Sequence, residues 1–247
     1  MYLTTKGLVL RVTDYNDRDA LLTILTDKHG KLTVKARGLR RKNSPLIAPC
    51  QLLAYGEFTL FEYRGMYTVN EASSVELFQS LRRDLVKLSL GTYFAQVAEV
   101  LSQEDLPNPE LLSLVLNCLH ALSKLQEPEA KVKAVFELRS ACLSGYEPDL
   151  FGCHGCGDPN PGLFDISAGL LECANCRNPE SNGIRMPVNP SVLEAMRYIC
   201  LCSPKKLFSF QVGLQTLELL SQVTQSYLTT QLERGFSALD FYKSLLI

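Results

Sequence analysis

Much that would mark an enzyme or a membrane protein is missing from these 247 residues. No apolar run approaches the ~18 residues of a membrane span. The only three histidines, His29, His120 and His154, stand far apart, and His29 and His120 have no evident catalytic companions. There is no HExxH, and the deaminase pattern of His-x-Glu with Pro-Cys-x-x-Cys is absent. No GxxxxGK[ST] and no GxGxxG opens a helix after a strand, which leaves nucleotide-phosphate loops without support. A GxSxG nucleophile elbow is also absent. Asp14, Asp17 and Asp19 cluster, but turn chemistry explains Asp14-Tyr-Asn-Asp17 as well as a cation site does. Internal repeats and low-complexity segments are lacking. Met1-Tyr-Leu-Thr-Thr-Lys6 does not have the build of a secretory signal, so a reducing cytoplasm is expected.

Net charge is also nearly absent: the formal value is −1, so bulk charge gives no push toward nucleic acid. Its distribution is uneven. Residues 1–80 carry eleven Lys/Arg against eight Asp/Glu, and the remainder carries fourteen against eighteen. A positive front and a negative back imply different partners for the two parts.

What is present begins with cysteine. Four of the nine form two knuckles, Cys153-His-Gly-Cys156 and Cys173-Ala-Asn-Cys176, separated by sixteen residues. That spacing matches a four-thiolate zinc site. The alternative is four reduced cysteines in a loop. Gly155 and Gly157 give the first turn its freedom, and the residues from Gly162 to Leu171 suit a short hairpin under the metal. Four thiolates close the tetrahedron and leave no position for water, so one structural zinc per chain is expected. His154 is expected as an exposed loop residue and not as a ligand. The other cysteines, Cys50, Cys118, Cys142, Cys200 and Cys202, lie mostly among apolar residues and read as small buried hydrophobes.

Over residues 1–80 the apolar period is two. Strand-like runs cover Lys6–Val12, Leu21–Leu25, Lys31–Arg37, Leu52–Tyr63 and Met66–Ala72, with turns at Asp27–Gly30 and Arg64-Gly65. Five short strands are enough for a small barrel. The period then becomes 3.6. Leu81, Leu85, Leu88, Leu90, Tyr93, Val97 and Val100 mark a first helix. Asn108-Pro109 and Asn189-Pro190 supply caps with Pro at the first helical position. Pro128 opens a helix that Gly145 closes, and a last long helix covers roughly 211–233. The expected fold class is α+β and multidomain. Residues 1–80 form a barrel, and residues 81–247 form a mainly helical domain interrupted by a zinc module at 150–180.

Lys31, Lys35, Arg37, Arg40, Arg41 and Lys42 place six positive charges in twelve residues with no acid among them. Strand alternation puts Lys31, Lys35 and Arg37 on one face, and the rest extend it into a loop. Such a surface binds phosphate, although a charge run of this length is often merely solvated. Small five-stranded barrels bind single strands through a basic groove and stacking aromatics. Tyr15, Tyr55, Phe58, Phe61, Tyr63 and Tyr67 are near in sequence, and alternation does not say which are free to stack.

The whole chain, from about residue 5 to residue 240, resembles the RecO family of bacterial recombination mediators. The resemblance is carried by Gly7-Leu-Val-Leu-Arg-Val-Thr-Asp-Tyr15, Leu25-Thr-Asp-Lys-His-Gly-Lys-Leu32, Ala36-Arg-Gly-Leu-Arg-Arg41 and Leu81-Arg-Arg-Asp-Leu85. Pro107-Asn-Pro-Glu-Leu111, Gly145-Tyr-Glu-Pro-Asp-Leu150, Phe164-Asp165 and Gly169-Leu-Leu-Glu-Cys173 add to it. It implies an N-terminal OB barrel, a helical domain and an embedded zinc module. It implies binding of single- and double-stranded DNA, annealing of complementary strands, and work with RecR to load RecA onto strands coated by SSB, in a bacterial cytoplasm at the nucleoid. No catalytic turnover, membrane or small-molecule substrate is implied, and family members that lack the four cysteines agree with a structural metal. Arg11, on the opening strand, joins the expected DNA-binding set. The acidic SSB tail, ending in apolar residues, requires an apolar groove rimmed by cations, for which Arg82, Arg83, Lys124, Lys131, Lys133 and Arg139 are the candidates. Two other readings stay open: a zinc-stabilised protein adaptor that does not anneal DNA, and a zinc enzyme with an exchangeable thiolate.

Overall fold

The computed structural model describes residues 1–125, 127–177 and 183–246. The chain divides into two units, one of residues 1–125 with 236–247 and one of residues 126–235.

The first unit starts with five strands, β1 (Tyr2–Asp14), β2 (Ala20–Thr26), β3 (Lys31–Ala36), β4 (Tyr55–Tyr63) and β5 (Met66–Glu76). They close into a barrel in the order β1-β2-β3-β5-β4, with β3 and β5 parallel and β4 returning to β1. This is the OB arrangement, and closure removes the free sheet edges. Leu32, Val34 and Ala36 point inward at period two and meet Val9, Leu22, Ile24, Phe58, Leu60 and Val69 in the barrel core. The turn at Arg64-Gly65 has positive φ at both residues, 50° and 75°, as a two-residue hairpin of type I′ requires.

After a single 3-10 turn at Leu81–Arg83 come α1 (Leu85–Leu101) and α2 (Pro109–His120), followed by a π-helical turn at Ala121–Leu125. Asp84 and Asn108 cap the two helices by accepting from Lys87 N–H and Leu111 N–H. The buried face of α1 holds Leu90, Tyr93, Phe94, Val97 and Ala98, whereas Leu85 and Val100 are exposed. The expected stripe was therefore displaced at its two ends, because terminal turns project beyond the surface they cover. A short helix that periodicity had not indicated, α6 (Ser237–Ser244), packs on α1 through Phe236 and Tyr93, whose ring centroids are 5.5 Å apart.

In the second unit, α3 (Glu129–Leu143), α4 (Pro190–Leu201) and α5 (Leu214–Gln231) surround a core of Val132, Val135, Phe136, Leu193, Ile199, Leu220 and Val223. Gly145 (φ 86°) ends α3, with Tyr146 N–H donating back to Ala141 carbonyl, so Gly145 supplies the left-handed residue of the cap. Between α3 and α4 lies a sheet of β6 (Asp149–Cys153), β7 (Leu163–Asp165), β8 (Leu170–Glu172) and β9 (Arg185–Pro187), ordered β6-β8-β7-β9. The expected hairpin is β7–β8, with Phe164 opposite Leu171. Residues 178–180 of the expected module lie outside the described residues. Among the described residues, no helix is long and apolar enough to cross a membrane.

Candidate metal centre and nucleic-acid interface

The four knuckle cysteines converge. Their Sγ atoms all lie within 4.8 Å of one another, and Cys156 Sγ is 3.7 Å from Cys173 Sγ. A tetrahedron of thiolates at a Zn–S distance of about 2.3 Å has edges of roughly 3.8 Å, so four sulfurs at this spacing could hold one metal ion. Cys153 ends β6 and Cys173 follows β8, and the parallel pairing of Cys153 with Leu171 brings the two knuckles side by side. Cys173 N–H donates to Cys153 Sγ at 3.3 Å, and this bond leads in pulling that thiol down to about 6. At Cys176 the neighbouring sulfurs of Cys173, Cys156 and Cys153 push the thiol up to about 12. Crowded sulfurs cannot all ionise unless a cation offsets their repulsion. His154 is exposed and stands outside the cluster.

Gly155 sits where the second knuckle closes on the first. A Cβ there would fall 2.9 Å from Cys176 Cβ and 3.0 Å from its Sγ. Gly155→Ala is therefore expected to displace the second knuckle and weaken metal affinity by about 10-fold or more, as read by competition with a chromophoric chelator. Unchanged affinity would mean that the loop absorbs the methyl.

Neighbouring residues anchor the module to the helices of its own unit. Arg197 of α4 donates to the carbonyls of Leu150 (2.7 Å) and Pro159 (2.8 Å). Gln231 of α5 donates to Ile166 carbonyl at 2.9 Å, and the Tyr227 ring packs tilted against Phe164 with centroids 5.3 Å apart. Within the sheet, buried Arg185 of β9 bridges Asp165 of β7 and Glu172 of β8. The sequence reading missed this ion network because its three members are far apart in the chain and become neighbours only through strand register.

The basic segment is split by its partners. Lys35 lies beside Thr68 across β3–β5, Thr68 opposite Phe61 across β5–β4, and Phe61 opposite Tyr2 across β4–β1. Cross-strand partners share a face, so these four form one row on the outside of the barrel. Arg37, Tyr63 and Met66 join them around a groove of about 440 Å³. Tyr2 and Tyr63 are about 60% exposed, and Phe61 rests 5.3 Å from Tyr2. Of the aromatics near in sequence, Phe58 is buried in the barrel, Tyr55 and Tyr67 are half-buried, and Tyr15 lies under the Lys35 ammonium at 4.5 Å. Tyr2 was missed because it stands next to the chain start, outside the expected first strand.

Several cations expected on this surface are engaged elsewhere. Lys31 Nζ donates to the Glu99 carbonyl at 2.9 Å, near the end of α1. Arg11 pairs with Glu99 (2.9 Å), Arg40 with Asp14 (2.9 Å) and Lys35 with Asp19 (3.1 Å). Arg37, Arg41 and Lys42 are exposed and have no ion pair among the described residues. The Gly38 amide, followed by the Lys35 ammonium, holds the Asp19 carboxyl down at about 2. Because the folded value is depressed below the ordinary ~3.9, the stabilisation is complete above that value and is lost as pH falls through about 2. Asp19→Asn should remove this part of the acid dependence, measured by denaturation midpoints between about pH 2 and 5. An unaltered midpoint–pH curve would show that Asp19 does not anchor the segment.

The expected groove rim does not form as a set. Lys131 and Lys133 are buried, their ammonium groups held by Glu127 with Phe208 carbonyl, and by Glu137 with Ser221. Arg139 donates to the carbonyls of Ile199 and Cys200, and half-buried Arg82 to that of Leu52. These four point into their own units because α3 is covered by both α4 and α5, and because Arg82 caps a barrel loop. Arg83 and Lys124 are exposed, the latter 3.7 Å from Glu76.

Comparison with known proteins agrees with the two-part reading. Residues 1–78 match the family model for the Recombination protein O N terminal, and residues 82–240 match the Recombination protein O C terminal. DNA repair protein RecO of Acetivibrio thermocellus is 33% identical over 99% of this chain and 97% of its own length. RecO of Alkaliphilus metalliredigens is 31% identical over 99% and 100%, and that of Bacillus pumilus 28% over 92% and 88%. A barrel, a helical region and a four-cysteine cluster thus sit in a sequence matched from end to end, and the chain belongs to the RecO family of DNA repair proteins.

Proposed function

We propose that this chain is a recombination mediator without catalytic turnover. It binds single- and double-stranded DNA, anneals complementary strands, and with RecR helps load RecA onto single strands coated by SSB. The observation that carries this reading is the row Lys35–Thr68–Phe61–Tyr2, with Arg37 and Tyr63 beside it. Exposed aromatic faces accept unpaired bases of any sequence, and adjacent cations accept the phosphates. Residues 1–80 provide the DNA-binding part, with Arg37, Arg41 and Lys42 as its free cations and Lys31, Lys35, Arg40 and Arg11 as secondary contacts that must first leave their present partners. Residues 81–247 provide protein docking, including the SSB tail, with Arg83 and Lys124 as the accessible rim cations.

The metal in this reading is one structural Zn²⁺ held by Cys153, Cys156, Cys173 and Cys176 in the module at 150–180. When bound, it supplies charge compensation and a fixed tetrahedral link, not a reactive water. The protein works in the bacterial cytoplasm at the nucleoid.

The deciding experiment is annealing of SSB-coated complementary strands by the purified chain, with DNA affinity measured against salt. A mediator accelerates annealing and shows a steep log–log slope. The engaged state of Lys31, Lys35, Arg40 and Arg11 favours one other reading, a protein adaptor whose basic segment is only structural. A shallow slope with no acceleration would establish that reading instead.

A further inference from the structure

One pair among the remaining cysteines is brought together by packing alone. Cys142 lies in the last turn of α3 and Cys200 in the last turn of α4, with their Sγ atoms 3.6 Å apart. Their surroundings differ from those of Cys50 and Cys118, which are buried thiols pushed up by desolvation. Cys142 is partly accessible, whereas Cys200 is buried. Arg139, one turn before Cys142, anchors its guanidinium on the carbonyls of Ile199 and Cys200, and so places a fixed positive charge beside the pair. Glu147 adds a charge of the opposite sign, and Tyr227 and, through Arg139, Cys202 are further titratable groups there. The two sulfurs share a hydrogen bond, with Cys142 Sγ donating to Cys200 Sγ. Cys142, the more accessible sulfur and one turn from the Arg139 guanidinium, is thus the one a small oxidant reaches first, and Cys200 lies within reach behind it.

We propose that Cys142 and Cys200 are a modification site for hydroperoxides, closing to an intramolecular disulfide that ties the end of α3 to the end of α4. The Cys142 thiolate attacks one peroxide oxygen, the O–O bond breaks, and the departing oxygen takes a proton to leave as water or an alcohol. Cys142 is then a sulfenic acid. Cys200 gives up its proton and attacks the Cys142 sulfur. The S–S bond forms as the S–O bond breaks, and the hydroxide leaves with that proton as water. Two thiols lose two electrons and one peroxide gains them. The sulfurs must approach from 3.6 Å to about 2.05 Å, and both lie in terminal turns, where backbone adjustment is easiest.

The test uses the full chain loaded with zinc, so that the four knuckle sulfurs are covered. The protein is titrated with hydrogen peroxide, trapped with N-ethylmaleimide, digested and mapped by mass spectrometry, while released zinc is followed with a chromophoric chelator. A Cys142–Cys200 cross-linked peptide is expected in most chains before zinc is released, and dithiothreitol should reverse it. Cys142→Ser should abolish the cross-link. The wild-type map decides the matter even where that variant folds poorly. The proposal is overturned if Cys142 and Cys200 are both still alkylated at doses that release zinc, or if Cys202 replaces either member in the cross-link.

Discussion

Stripping the metal with a strong chelator is expected to unfold the β6–β9 module while much of the helical signal survives. Three of its four strands are only three residues long, and its buried apolar side chains are few, chiefly Leu150, Phe164, Ile166 and Leu171. Such a sheet cannot offset the conformational entropy of ordering its loops. A structural four-thiolate zinc contributes on the order of 10–16 kcal/mol of apparent binding free energy, comparable to the entire stability of an ordinary domain, about 5–15 kcal/mol. Hydrogen exchange should therefore show amide protection at Phe164 and Leu171 lost on chelation, and the melting transition should fall by 10 °C or more. Cys153→Ser and Cys176→Ser should reproduce the loss, since each leaves three ligands and a broken tetrahedron. The anchors from Arg197 and Gln231 should fail with the module, because their acceptors are backbone carbonyls of the module itself. Metal analysis should return one zinc per chain. A metal-free chain with an unchanged melting transition would refute the structural role.

Removing the free cations and the aromatic shelf should abolish most single-strand binding, through two separable effects. In Arg37→Ala/Arg41→Ala/Lys42→Ala, each lost phosphate contact should flatten the log–log salt slope by about 0.7 on single strands, so by roughly two for the triple variant. Phe61→Ala/Tyr63→Ala should leave the slope unchanged and weaken single-strand binding by about 1–3 kcal/mol per unstacked base. Duplex binding should hardly respond to the aromatic variant, because paired bases already occupy their own stack. All five side chains are exposed, so folding stability should move by no more than about 0.5 kcal/mol for each. Titrations at several salt concentrations, on single-stranded and duplex DNA, read both effects. Equal affinities and slopes in folded variants would remove this face of the barrel as the DNA site.

Whatever depends on short spacing was legible in the amino-acid order. Two CxxC knuckles sixteen residues apart were sufficient to name the four sulfurs that meet within 4.8 Å. Apolar alternation in β3 told inward Leu32, Val34 and Ala36 from outward Lys31 and Lys35, because successive side chains of a strand must face opposite ways. Asn108-Pro109 and Asn189-Pro190 marked helix starts, since a cap and the fixed φ of proline act within one turn. Which charges are free depends instead on packing between distant segments. Lys131 and Lys133 read as surface cations, yet α3 is covered by α4 and α5 and buries its lysines with Glu127 and Glu137. Helical periodicity loses its meaning on a helix enclosed on most sides. The aromatic shelf was undecided for a related reason. Tyr2, Phe61 and Lys35 become neighbours through strand register across four strands. Register is fixed by core packing and barrel closure, which act between residues far apart in the chain and leave no mark in local spacing.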